Sequence, residues 1–262
     1  MENGIKIDRR HLMQSGLLGL SALAVPTPLW ASSAPSKDTL RKFFANGQVA
    51  PFHGNTILCH LDQQGLNSGT FDALLDIYRE VPATSFADKL TLLPPSSYHM
   101  TIFVGANDPI RTPGLWPNGV ALDAPMAECS RIMAERLQSA SIGVVAPIRM
   151  RVDTSPPRPD TTPLTIRLLP LDDAEDRKLR QLRDRLSEIL GIRALDHERY
   201  RFHVTIAYKI RKLDRAEHRD FLSRLADWQA MVSERSPVIT LGQPEFCILD
   251  DMFAFHRQFY LS

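Results

Sequence analysis

The chain has 262 residues, of which 44% are hydrophobic and 23% charged, with 31 Lys and Arg against 30 Asp and Glu. These proportions belong to ordinary globular proteins and exclude a wholly disordered, collagen-like or multi-span membrane chain. A formal net charge of +1 also argues against a protein that holds long nucleic acid by bulk electrostatics, so an anionic ligand has to be gripped locally.

Met1 to Ala34 reads as a cleavable export signal: charges at Lys6, Asp8, Arg9 and Arg10, an uncharged run from Leu12 to Ala24, then prolines and a small-residue stretch at Ala31 to Ala34. Asp8-Arg9-Arg10-His11-Leu12-Met13 resembles the twin-arginine motif, which makes a periplasmic location the expectation, with no stable membrane span after processing. Without Glu2, Lys6, Asp8, Arg9 and Arg10 the remainder carries 28 basic and 28 acidic residues. That balance favours a small ligand over long RNA.

Thereafter strand and helix patterns alternate. Expected strands are Thr56 to Leu61, Lys89 to Leu93, His99 to Val104, Ile148 to Val152, Leu164 to Leu168, His203 to Tyr208, Val238 to Leu241, Pro244 to Leu249 and Phe253 to Tyr260. Expected helices are Thr70 to Arg79, Pro125 to Gln138, Asp172 to Leu190 and Asp214 to Gln229. The third is the clearest: Leu179, Leu182, Leu186, Ile189 and Leu190 recur at helical spacing, between Asp172 and Asp173 at the start and Gly191 past the end. Asn107 to Asn118 and Asp153 to Pro163, rich in Pro, Gly, Asn and Asp, read as loops, the former as a cleft wall. An α+β architecture follows.

The informative feature is a repeated segment. His99-Met100-Thr101-Ile102 and His203-Val204-Thr205-Ile206 each lie on an expected strand and each follow an aromatic residue, Tyr98 or Phe202. Strand alternation turns each histidine and its threonine to one face and the apolar pair to the other. Two such matches in one chain are rarely met by chance. Phosphodiester hydrolysis needs a base for the attacking water, an acid for the departing alkoxide and donors for the phosphoryl oxygens, which two imidazoles and two hydroxyls supply. By the same alternation Arg201 and Lys209 share the face of His203 and add positive potential, while Ser97 shares the face of His99. Tyr98 and Phe202 point to the core, and His53 or Asn55 reaches the cleft from the first strand.

The duplicated His-apolar-Thr-apolar motif resembles the signature of the two-histidine (2H) phosphoesterase superfamily, which includes RNA 2',3'-cyclic phosphodiesterases and 2'-5' RNA ligases. The resemblance implies a single bilobal domain over residues 35–262, with two pseudo-symmetric lobes whose antiparallel sheets flank a central cleft and whose helices lie outside. It implies His99, Thr101, His203 and Thr205 as the catalytic set and no metal or other cofactor. The substrate implied is a cyclic phosphate or 2'-5' phosphodiester of a nucleotide or short RNA end. Binding of a cyclic nucleotide without hydrolysis and ligation of RNA ends are the alternatives. A monomer is expected.

Other patterns carry less. His53, Cys59 and His60 lie close together but match no metal spacing, and on a strand Cys59 and His60 face opposite ways. Cys59, Cys129 and Cys247 are scattered, so no disulfide framework is indicated. His197, His218 and His256 have no partner pattern and are expected to be structural or surface residues. P-loop, G-x-G-x-x-G, G-x-S-x-G and H-E-x-x-H patterns are absent from the sequence.

Overall fold

The computed structural model describes Met1, Ser36 and residues 41–143, 146–161 and 163–262; apart from Met1, the expected export signal lies outside these residues. From Ser36 onward the described residues belong to one compact unit, Ser33–Ser262. Its elements run β1 (Gly54–His60), α1 (Gly69–Glu80), β2 (Leu90–Leu92), β3 (His99–Asn107), α2 (Met126–Ser139), β4 (Ile148–Val152) and β5 (Leu164–Pro170). They continue with α3 (Asp173–Leu190), β6 (His203–Lys209), α4 (Arg215–Arg235), β7 (Ile239–Leu241), β8 (Glu245–Leu249) and β9 (His256–Tyr260). Every expected element is present, within two residues of its expected ends except at β3, which runs on to Asn107, at α4 and at β9. Among the described residues no helix is long and apolar enough to cross a membrane.

The strands form one antiparallel nine-stranded sheet, ordered β7-β4-β5-β6-β3-β1-β8-β9, with β2 on β6. Its symmetry is visible in that order: β3-β1-β8-β9 on one side mirrors β6-β5-β4-β7 on the other. The two expected sheets are therefore halves of one, joined where β3 meets β6 with Met100 paired to Val204. These central strands carry the repeated motifs. Helices α2 and α3 pack together, as do α1 and α4, and α3 lies against β3, β4 and β5.

Local chemistry accounts for the element ends. The Asp172 side chain caps α3 by accepting from the Glu175 amide, and Gly191, at φ 66°, closes it in the left-handed region. Asp214 and Glu217 form a capping box at the start of α4. That helix runs past the expected Gln229 to Arg235 because buried Val232 continues the stripe of Leu225 and Trp228. β9 starts at His256 rather than Phe253, since the Asp251 carboxylate accepts from the Phe253 amide and turns the chain first.

Candidate active site

Antiparallel pairing of Met100 with Val204 sets His99 opposite Thr205 and Thr101 opposite His203, giving the floor a local two-fold arrangement. Met100, Ile102, Val204 and Ile206 are each at most 1% exposed and form the apolar back. All four polar motif residues line one cavity of about 260 Å³. Tyr98 and Phe202, both 1% exposed, belong to the core as expected.

Both histidines are held alike. His99 Nδ1 donates to the Ser97 carbonyl at 2.6 Å, and His203 Nδ1 donates to the Arg201 carbonyl at 2.9 Å. A carbonyl only accepts, so each ring carries its proton on Nδ1 and leaves Nε2 with a free lone pair. Burial pushes the His99 pKa down to about 4, against the opposing pull of the Ser97 carbonyl, with His60 and His203 adding further depression. Burial lowers that of His203 as well, helped by the positive charge of Lys42. The Phe255 ring sits 4.3 Å from that of His99, centroid to centroid.

A shared irregularity follows each motif. The pairing of β1 with β3 steps from Leu58 opposite Thr101 to Ile57 opposite Phe103, and that of β5 with β6 from Thr165 opposite Thr205 to Leu164 opposite Ala207. Each central strand thus carries one extra residue, Ile102 or Ile206, at the fourth motif position. The freed carbonyls are satisfied: that of Ile102 accepts from the buried Arg183, that of Phe103 from the Thr56 hydroxyl, and that of Ile206 from the Leu93 amide. Beyond each bulge the alternation is reset, so Val104 and Tyr208 face the cavity.

This reset corrects the expectation for Lys209. Its side chain is 7% exposed, donates from Nζ to the Thr161 carbonyl at 3.0 Å and lies 3.7 Å from the Phe221 ring centroid of α4, with its pKa lowered to about 8 by burial. Arg201 precedes β6, and its side chain lines a separate depression with Arg158, Arg167, Arg180 and Arg199. Ser97 lies in a 3-10 turn rather than on β3, and its buried hydroxyl donates to the Pro94 carbonyl. His53 is outside the cavity, paired with Asp250 at 3.2 Å. Asn55 borders the cavity, but its amide is spent: Nδ2 donates to Ser130 Oγ and Oδ1 accepts from the Ala106 amide.

The cations at the cavity come instead from Arg41 and Lys42. Lys42 Nζ donates to the Tyr208 hydroxyl at 3.1 Å and lies 4.4 Å from that ring's centroid. Nothing in the sequence flagged Arg41 and Lys42, which lie before the first strand, and Tyr208 was hidden by the bulge. Asn107 and Ile110 supply part of the wall expected of the following loop. A larger depression of about 480 Å³ along α3, lined by residues such as Lys178, Gln181 and Glu188, contains neither motif.

Comparison with known proteins bears on this arrangement. Residues 42–159, which hold the first motif, match the family model "2H-phosphodiest: Domain of unknown function (DUF1868)". The chain resembles a crystal structure described as the conserved protein of unknown function ATU0111 from Agrobacterium tumefaciens, at 25% identity and a TM-score of 0.77, over 87% of this chain and 93% of that one. No curated protein matches. The family match, together with an α+β fold whose two halves meet at the paired motifs, is consistent with a member of the 2H phosphoesterase superfamily.

Proposed function

We propose that the protein hydrolyses a cyclic phosphate or a 2'-5' phosphodiester of a nucleotide or short RNA end. The observation that carries this reading is the pair of imidazoles in one cavity, each with Nδ1 bonded to a backbone carbonyl, which leaves Nε2 as the atom that takes or gives a proton. One Nε2 takes a proton from water as the water oxygen bonds to phosphorus. The other histidine, protonated, gives its proton to the alkoxide as the P–O ester bond breaks. Proton exchange with solvent then restores the starting pair. Thr101 and Thr205 donate to the phosphoryl oxygens, and Arg41 and Lys42 favour the gathering negative charge.

The arginine-lined depression beside Tyr200 suits a further phosphate of a short RNA end, because Tyr200 borders it and its ring lies 6.5 Å from that of His203. We also propose that the protein works after export, on the strength of the Arg9-Arg10 pair and the run that follows.

Incubation with 2',3'-cyclic nucleotides and a 2'-5' linked dinucleotide in EDTA, with product identification, tests the activity. Release of a phosphomonoester from the cyclic substrate or of nucleosides and mononucleotides from the dinucleotide is expected, and is lost in His99→Ala and His203→Ala. Tight binding with unchanged ligand would instead make the protein a receptor. A single-histidine variant that retained full turnover would exclude the two-histidine mechanism.

A further inference from the structure

Next to the paired motifs the described residues contain a second group of ligating atoms. His60 on β1 and Glu245 and Cys247 on β8 each offer one, and these atoms all lie within 4.8 Å of one another. We propose that they bind a divalent ion of the zinc class, with a fourth coordination position left for water. The reading is independent of the phosphoesterase chemistry.

The donor set supports this choice. Imidazole, carboxylate and thiolate together suit zinc and its borderline neighbours, whereas magnesium and calcium prefer oxygen alone. Three protein ligands on adjacent strands, held by Thr56 opposite Cys247 and Leu58 opposite Glu245, are rigidly placed. A hydrogen bond alone explains His60 and Glu245, whose Nδ1 to Oε distances are 3.1 and 3.2 Å. It does not account for Cys247, whose fully buried thiol lies beside a carboxylate that is itself 4% exposed. Arg257, 3.5 Å from Glu245, supplies an outer contact that orients the carboxylate.

Access is from the cleft side. His60 is partly exposed and pairs directly with His99 across the β1–β3 ladder, their ring centroids 6.2 Å apart. On binding, the Cys247 S–H bond breaks, the proton leaves to solvent, and the metal–sulfur bond forms. The His60 proton leaves Nδ1 and the ring takes the Nε2–H tautomer through solvent, so the Nδ1–H contact with Glu245 is replaced by bonds from Nδ1 and the carboxylate to the ion.

Titration of the metal-stripped full chain with Co²⁺, followed by absorption, tests the site. The expected result is saturation at one equivalent, with a thiolate-to-cobalt charge-transfer band and the intense visible bands of tetrahedral cobalt, both removed by one equivalent of Zn²⁺. Cys247→Ser should abolish the charge-transfer band, and His60→Gln should weaken Zn²⁺ binding by about tenfold or more. His99→Ala should leave both unchanged, which separates this site from the catalytic pair. Lack of saturable binding, or a charge-transfer band that survives Cys247→Ser, overturns the proposal. Thermal melting of the metal-free variants checks folding; if Cys247→Ser does not fold, unchanged Zn²⁺ affinity in His60→Gln serves as the overturning result.

Discussion

Each of the four motif side chains has a distinct expected cost of removal. In the proposed mechanism, truncating either histidine deletes a proton carrier, whereas Thr101→Ala or Thr205→Ala deletes one donor to a charged oxygen, about 1 to 3 kcal/mol of transition-state stabilisation. Steady-state kinetics should show that loss in kcat/KM with an unchanged melting temperature. Lys42→Ala should lower kcat/KM by about tenfold, equivalent to ~1.4 kcal/mol, while Lys209→Met should leave it near the parent value, because only Lys42 reaches the cavity. The pH profile follows from the depressed histidines. The proposed mechanism requires one ring protonated and one neutral, and in the free protein burial places His99 at about 4 and His203 below its ordinary value. The bell in kcat/KM is therefore centred on the acid side of 6.5, and that in kcat shifts upward because a bound phosphate anion favours the imidazolium. A kcat/KM maximum above pH 7.5 would contradict this assignment.

At the level of elements, the repeated bulge is the feature on which the floor depends. Arg183, 3% exposed, donates to the Ile102 and His197 carbonyls, so Arg183→Met leaves two buried acceptors unsatisfied. A loss of about 2 to 3 kcal/mol in denaturant unfolding is expected, together with weaker turnover as the floor relaxes. Bulges also mark the limit of what the sequence could reveal. Strand alternation correctly put His99 with Thr101 and His203 with Thr205, because those pairs precede the extra residue. Past Ile206 the same rule pointed Lys209 at the cleft, and an unrecognised bulge reversed it. Helix ends were easier to read, since Asp172, Gly191 and Asp214 announce themselves through caps that depend on neighbouring residues alone. Arg201 and Ser97 failed for a related reason: each lies just outside its strand, where alternation has no force.

For the whole molecule the two imidazoles set a stability gradient. A histidine whose pKa is lowered on folding binds fewer protons in the folded than in the unfolded state, so stability rises with pH through that window. Unfolded histidine titrates near 6.5 and His99 near about 4, so stability should fall as pH drops from 6.5 towards 4. Melting temperatures across that range should decline less steeply in His99→Gln than in the parent. The paired halves were visible before the fold because duplicated motifs on central strands imply a duplicated frame. What tertiary packing added, the cations from Arg41 and Lys42 and the Phe255 contact, comes from residues that precede the strands nearest to them, where alternation gives no direction.

Ring orientation at the floor is set by main-chain oxygens two positions upstream of each histidine, and every amino acid supplies such an oxygen. Positions 97 and 201 can therefore accept new side chains over evolutionary time while the Nε2 lone pairs to which we assign the chemistry keep their aim. Related chains can diversify what surrounds the cleft, Arg201 and its neighbours included, without re-tuning the reactive pair.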